Sequence, residues 1–153
     1  MNINLCERNK DLESIATIET KSGDEYWTFD YIEKKLKQKS ITCQVAEEDG
    51  IITGFIIYEL FLHRFALLRI GVDPSSRRKK TGSGLLKAVI NNLSESRSLI
   101  SAEVRESNLP VQLFLKSQKF RAVEVLRNYY NDTEEDAFAF HYNLNSSKDL
   151  QPK

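Results

Sequence analysis

Four consecutive cations, Arg77, Arg78, Lys79 and Lys80, stand between an apolar run ending at Val72 and the small-residue stretch Thr81-Gly82-Ser83-Gly84, which opens onto Leu85 and Leu86. Residues of these types in this order suit the binding of an anion. Backbone N–H groups at a helix start have no acceptor inside the helix and lie at the positive end of its dipole, so a phosphate group docks there readily. The neighbouring cations add a local field of the same sign. The same segment also reads as a solvated basic turn whose helix is capped by Thr81.

The elements that must hold this turn follow from periodicity. Leu12, Ile15, Ala16 and Glu19 recur at helical spacing in residues 11–20, and Phe29, Ile32 and Leu36 repeat the pattern behind Thr28 as N-cap, so two helices are expected first. Ile41, Cys43 and Val45 alternate with polar residues up to Glu48-Asp49-Gly50, and an apolar run over 51–60 follows at once, which predicts a hairpin. Residues 65–72 predict a strand. Leu85, Leu86, Val89, Ile90 and Leu93 predict the helix behind the basic turn. Residues 99–104 predict the next strand, Pro110 opens a short helix carrying Leu113, Phe114 and Leu115, and residues 122–126 and 137–144 predict two closing strands around the polar loop 131–136. The fold class is α/β: a mixed, twisted central sheet flanked by helices on both faces. In such sheets a ligand sits beyond the carboxyl ends of parallel strands, here past Val72 and Val104.

The 153 residues suit one domain over 1–144, followed by a polar tail over 145–153 that is expected to fray. A chain of this length buries about 70% of the surface that its unfolded form exposes. The 22 basic and 22 acidic residues balance, which argues against a general nucleic-acid binder, so no DNA partner is expected. Cys6 and Cys43 are too few and too far apart in sequence for a disulfide framework or a metal site, and no metal is expected. No secretory signal opens the sequence, and the longest apolar run, residues 55–62 with Glu59 inside it, is too short to span a bilayer. A reduced, cytoplasmic setting without membrane attachment is expected. His63 and His141 lie in apolar runs without ligand-spaced neighbours and are assigned no role. The run Lys34, Lys35, Lys37 and Lys39 reads as a solvated helix face.

Ile70-Gly71-Val72-Asp73-Pro74, leading into the basic glycine-bearing turn and Leu85-Leu86, resembles the GNAT superfamily of acetyl-CoA-dependent N-acetyltransferases. Glu103-Val104-Arg105-Glu106-Ser107-Asn108, then Phe120, then Arg127-Asn128-Tyr129-Tyr130, then Glu135-Asp136-Ala137, is similar to the ribosomal-protein-alanine N-acetyltransferase branch of that superfamily, whose members acetylate protein N-termini. The likeness spans residues 65–144. The first 60 residues match loosely, chiefly through Trp27.

The resemblance implies acetyl-CoA as co-substrate, its pyrophosphate on the turn formed by Arg77, Arg78, Lys79, Lys80, Thr81, Gly82 and Ser83. Backbone groups of Ile70, Gly71 and Val72 and the side chain of Asn108 would hold the rest of the cofactor. Asn108, two residues before Pro110, equally reads as an ordinary N-cap. Lys80 stands where the family has a glycine. Its Cβ disfavours a positive φ, while its ammonium could turn toward a phosphate. Lys119 likewise replaces a glycine near a helix end.

Glu103 corresponds to the family's general base, which accepts the proton an amine sheds when it attacks a thioester. Leu99, Ser101 and Glu103 share one strand face, which sets the carboxylate near the strand end. The alternative is an exposed strand-end glutamate paired with an arginine such as Arg105. Leu115 stands where the family carries a tyrosine that protonates the leaving thiolate, and it reads as a core residue. Trp27, Tyr129 and Tyr130 would shape the site for the acceptor.

The expected activity is therefore acetyl transfer to an amine, a protein N-terminal α-amine or peptide in first place. A small-molecule amine acceptor, or a CoA-binding or protein-interaction module of the same fold without turnover, remain the alternatives.

Overall fold

The computed structural model describes residues 1–21 and 26–149. It has a seven-stranded, mostly antiparallel open sheet and five helices, the mixed α/β class that the periodicity predicts. Among the described residues no helix is long and apolar enough to cross a membrane. The chain packs as two compact units, one of residues 1–60 with 68–92, the other of residues 61–67 with those from 93 on.

The first unit opens with a strand, β1 (Asn2–Leu5), ahead of α1 (Arg8–Thr20) and α2 (Phe29–Leu36). The sequence reading began with two helices, and β1 corrects it. The strand is four residues long and largely exposed, with asparagine at alternate positions, so it carries little apolar signal. Thr28 caps α2 as predicted, its hydroxyl accepting from the Tyr31 N–H at 3.2 Å. Strands β2 (Ile41–Glu48) and β3 (Ile51–Leu60) form the predicted hairpin, and the positive φ of Asp49 (52°) and Gly50 (79°) closes its tight turn. Leu12, Ile15, Ile18, Ile32, Val45, Phe55 and Ile57 form the core.

The register of β1 against β2 pairs Leu5 with Gln44 and continues with the Cys6 N–H donating to the Cys43 carbonyl at 3.0 Å. The two cysteines, distant in sequence, are thus neighbours in space, and both are free thiols. A side-chain hydrogen bond with Cys6, helped by burial, holds the Cys43 thiol far above its ordinary pKa.

Strand β4 (Arg64–Val72) begins in the second unit and ends in the first, where it leads through a 3-10 turn at Pro74–Ser76 into α3 (Thr81–Ile90). Helix α3 ends at Ile90, so Leu93, read as part of its apolar stripe, lies beyond it. The seat of α3 is tight. A Cβ on Gly54 of β3 would lie 3.0 Å from the Gly71 carbonyl and 3.1 Å from both Thr81 Cγ2 and Leu85 Cδ1.

In the second unit, Arg64–Leu67 of β4 pair in parallel with Leu99–Ala102 of β5 (Leu99–Arg105). Strand β7 (Ala137–Asn143) lies antiparallel to β5, and β6 (Arg121–Leu126) antiparallel to β7. Ile100, Ala102 and Val104 are buried while Glu103 is exposed, the alternation that the sequence predicts. Helix α4 (Leu109–Ser117) is capped by Asn108 and carries Leu115 fully buried, in keeping with its reading as core. Leu144–Asp149, at the head of the segment expected to fray, form a short helix α5, and residues 150–153 lie outside the described residues.

Candidate functional site

In the first unit the candidate residues cluster around the start of α3. Asp73 accepts from the Ser75 N–H (3.0 Å), the Ser75 hydroxyl (2.7 Å) and the Lys21 ammonium (3.0 Å). These bonds, the Ser75 hydroxyl foremost, hold its carboxyl down at about 2. The chain then turns through Arg77, Arg78, Lys79 and Lys80, all exposed. None of the four takes part in an ion pair among the described residues.

Lys80, not Thr81, is the N-cap of α3, and it offers no side-chain hydrogen bond to the helix. Thr81 is the first helical residue, buried to 2% exposure with its hydroxyl turned toward the Ser76 carbonyl, so the anticipated Thr81 cap is corrected. The first bond of the helix runs from the Gly84 N–H to the Lys80 carbonyl at 3.0 Å, and among the described residues the Thr81 and Gly82 amides have no acceptor within the helix. Lys80 sits at φ 62°, ψ 21° and Arg78 at φ 67°, both left-handed. The turn therefore requires the positive φ that a glycine would supply without strain, and Lys80 adopts the same path at a cost of about 1–2 kcal/mol. Lys119, the other lysine that the resemblance sets in place of a glycine, repeats this at φ 70° after α4.

Ile70, Gly71 and Val72 close β4 before this turn. Gly71 is glycine for reasons of packing: a Cβ there would come within 2.5 Å of the Phe55 ring. Trp27 lies at the start of α2. Its N–H donates to Glu19 at 2.7 Å, its ring meets Tyr31 edge-on at 4.9 Å, and the Arg69 guanidinium stands 5.6 Å from it. Glu19, 1% exposed, is paired with Arg69 Nε at 2.9 Å. Helical spacing had marked Glu19 only as a residue of the inner face, and the buried carboxylate fixes the Trp27 backbone instead.

In the second unit, the structure joins Glu103 to Tyr129. The Tyr129 phenol donates to Oε2 of Glu103, a contact between residues 26 positions apart. With the carboxylate as its acceptor, and some burial besides, the phenol is pushed up to about 12. Arg105 does not act as the lone partner of a strand-end glutamate. It engages Asp132 (3.1 Å) and Glu135 (3.7 Å), and its guanidinium lies 3.8 Å from the Tyr130 ring centroid. Glu135 also accepts from the Ser107 N–H at 3.3 Å, and bonding with Ser107 and Thr133 lowers its pKa.

Asp136 completes the loop between β6 and β7, taking Arg127 at 2.9 Å and the Asn128 N–H at 2.9 Å. The loop 131–136, polar in sequence, is more than a spacer: its acids Asp132, Glu135 and Asp136 engage the flanking arginines, Arg105 and Arg127. Asn108 accepts from the Val111 N–H at 3.4 Å, so the capping reading holds.

A family model described as the acetyltransferase (GNAT) family matches residues 7–120. The chain is 34% identical over 94 residues to the [ribosomal protein bS18]-alanine N-acetyltransferase of Escherichia coli, covering 59% of this chain and 63% of that one. It is 28% identical over 142 residues to an N-alpha-acetyltransferase of Sulfurisphaera tokodaii, covering 84% and 85%. Among solved structures, the ribosomal-protein-S18-alanine N-acetyltransferase from Escherichia coli superposes with a TM-score of 0.82 at 25% identity, over 94% of this chain and 93% of that one.

Proposed function

Because the chain belongs to the acetyltransferase (GNAT) family, we propose that it transfers an acetyl group from acetyl-CoA to a protein N-terminal α-amine, with Glu103 as general base. The observation that carries this reading is the Glu103 carboxylate, exposed at the end of β5, with Oε2 engaged by Tyr129 and Oε1 without a partner among the described residues. A free carboxylate oxygen is what an amine needs to shed its proton. The relatives named for acetylating N-terminal alanine or α-amines supply the acceptor class.

The residues at the start of α3 fit the co-substrate. Four cations with no ion pair, and the Thr81 and Gly82 amides with no acceptor, among the described residues would hold the pyrophosphate, with Ser83 beside them. Backbone groups of Ile70, Gly71 and Val72 would offer further bonds to the cofactor, and the family resemblance assigns Asn108 to the pantetheine arm. Acetyl-CoA supplies an activated acyl group. The neutral amine attacks its carbonyl carbon, the C–N bond forms, the C–S bond breaks with its electron pair on sulfur, and the amine proton passes to Oε1 of Glu103.

An α-amine titrates near 8 and a lysine near 10.4, so obtaining the neutral lysine at pH 7 costs roughly 3 kcal/mol more. A site with one modest base is matched to the α-amine. Leu115, buried and apolar, donates no proton to the leaving sulfur, but a thiol of pKa about 8.5 departs tolerably as the thiolate.

The test is incubation with acetyl-CoA and a library of N-terminal peptides, following free thiol and peptide mass. Thiol release matched by one acetyl per peptide is expected. Binding of acetyl-CoA without thiol release from any peptide or amine would leave a module that holds the cofactor without turnover.

A further inference from the structure

A carboxylate at a strand end rotates about its last bond, and an exposed one samples many orientations. Glu103 is exposed, yet one of its oxygens is claimed by the Tyr129 hydroxyl. Tyr129 is itself 45% exposed, so burial is not what places it. It is placed by its neighbour. The Tyr129 and Tyr130 rings meet edge to face at 5.1 Å, and Tyr130 is covered by Arg105, which Asp132 and Glu135 hold from the loop. The chain of contacts therefore ends on Oε2 of Glu103 and leaves Oε1 open.

We propose that Tyr129 is a positioning residue for the Glu103 carboxylate: its phenol binds Oε2 and turns Oε1 outward as the single oxygen available to an incoming amine. This rests on the reading of Glu103 as the base. It goes beyond a general role for Tyr129 in shaping the acceptor site, because it gives the phenol a specific partner on the protein. During the transfer the amine proton goes to Oε1 and Tyr129 keeps its own. Its elevated pKa keeps it protonated across the working range.

Two measurements on the full chain test the proposal. The first is kinetics with acetyl-CoA and an alanine-initiated peptide. Tyr129→Phe keeps the ring and its contact with Tyr130, and should lower kcat about tenfold with the peptide KM little changed. On a Glu103→Gln background the same substitution should cost nothing further, because the two residues act as a unit. A raised KM with unchanged kcat, additive to Glu103→Gln, would make Tyr129 a peptide contact and overturn the proposal.

The second measurement is independent of turnover. Carbon-13 NMR of labelled tyrosine, with Tyr129 assigned by its loss in Tyr129→Phe, should show this phenol still protonated at pH 11 in the parent and ionising near the ordinary 10 in Glu103→Gln. Ionisation near 10 in the parent would show that the contact does not persist in solution and would overturn the proposal. If the NMR shift is present while the parent acetylates no amine, the pairing stands and the acetyltransferase reading is what falls.

Discussion

The basic turn at 77–80 and the acidic loop at 127–136 each follow a strand, and each holds two non-glycine residues at positive φ: Arg78 and Lys80 in one, Asn128 and Glu134 in the other. Apart from Glu134, which has no ion pair among the described residues, their charges are disposed of in opposite ways. In the loop, Asp132, Glu135 and Asp136 are all engaged with Arg105, Arg127 or backbone N–H groups at 2.9–3.7 Å. In the turn, four cations have no ion pair among the described residues. Charges engaged within the protein fix geometry, and charges left open are available to a ligand. The loop holds Arg105 against the Tyr130 ring, and the turn leaves its four cations exposed.

The strongest way to break this contrast is at the group the loop serves. Glu103→Gln should lower single-turnover acetyl transfer by roughly 10² to 10⁴ while acetyl-CoA affinity, proposed to reside in the turn, stays nearly unchanged. An unaltered rate at saturating peptide would show that water or another group takes the proton.

The reverse experiment acts on the turn. Arg78→Glu with Lys79→Glu should weaken acetyl-CoA binding by about tenfold at low ionic strength, by reversing the local field, and the difference should shrink as salt screens it. Calorimetry at rising salt measures both, and equal affinities at low salt would mean that the cations are mere surface.

A smaller effect separates backbone from charge. Lys80→Gly and Lys119→Gly each relieve a left-handed residue, and each should stabilise the fold by about 0.5–1 kcal/mol after the entropy of glycine is counted. Only Lys80→Gly should alter acetyl-CoA affinity. Urea unfolding of the two variants, beside binding of the cofactor, distinguishes the contributions.

The smallest effect concerns Asp73, just ahead of the turn. Its carboxyl is held at about 2 in the folded protein against an ordinary value near 3.8, by Ser75 and Lys21. A depressed carboxylate contributes stability that is fully present above the unfolded value and is lost as pH falls through the folded one. Stability of the parent should therefore decline more steeply than that of Asp73→Asn between about pH 4 and pH 2, a difference seen by thermal melts across that window.

Much of this arrangement was legible from local pattern. Thr28 and Asn108 were read as caps and both cap, because a cap depends on residues three positions away. The strained turn was foreshadowed by Lys80, since the family resemblance implies a glycine there and a Cβ at such a position disfavours the φ it takes. The Tyr129 contact was not legible. It depends on a loop whose acids fold back onto β5, and no periodicity encodes a meeting of residues 103 and 129. Cys6 and Cys43 escaped for the same reason, being joined by strand register across 37 positions. Strand β1 escaped through brevity and exposure.

The close approach at Gly54 bears on how freely the turn at 77–80 can drift during evolution. The first turn of α3 rests on a strand position where a Cβ would stand 3.0–3.1 Å from its neighbours, so its seat depends on β3 and the end of β4 as well as on the residues of the turn itself. A lineage can then exchange a turn glycine for lysine, accept modest local strain, and still find its helix dipole aimed as before. A side chain at Gly54 would require the Gly71 carbonyl, Thr81 or Leu85 to give by a few tenths of an ångström, although no ligand need ever touch it.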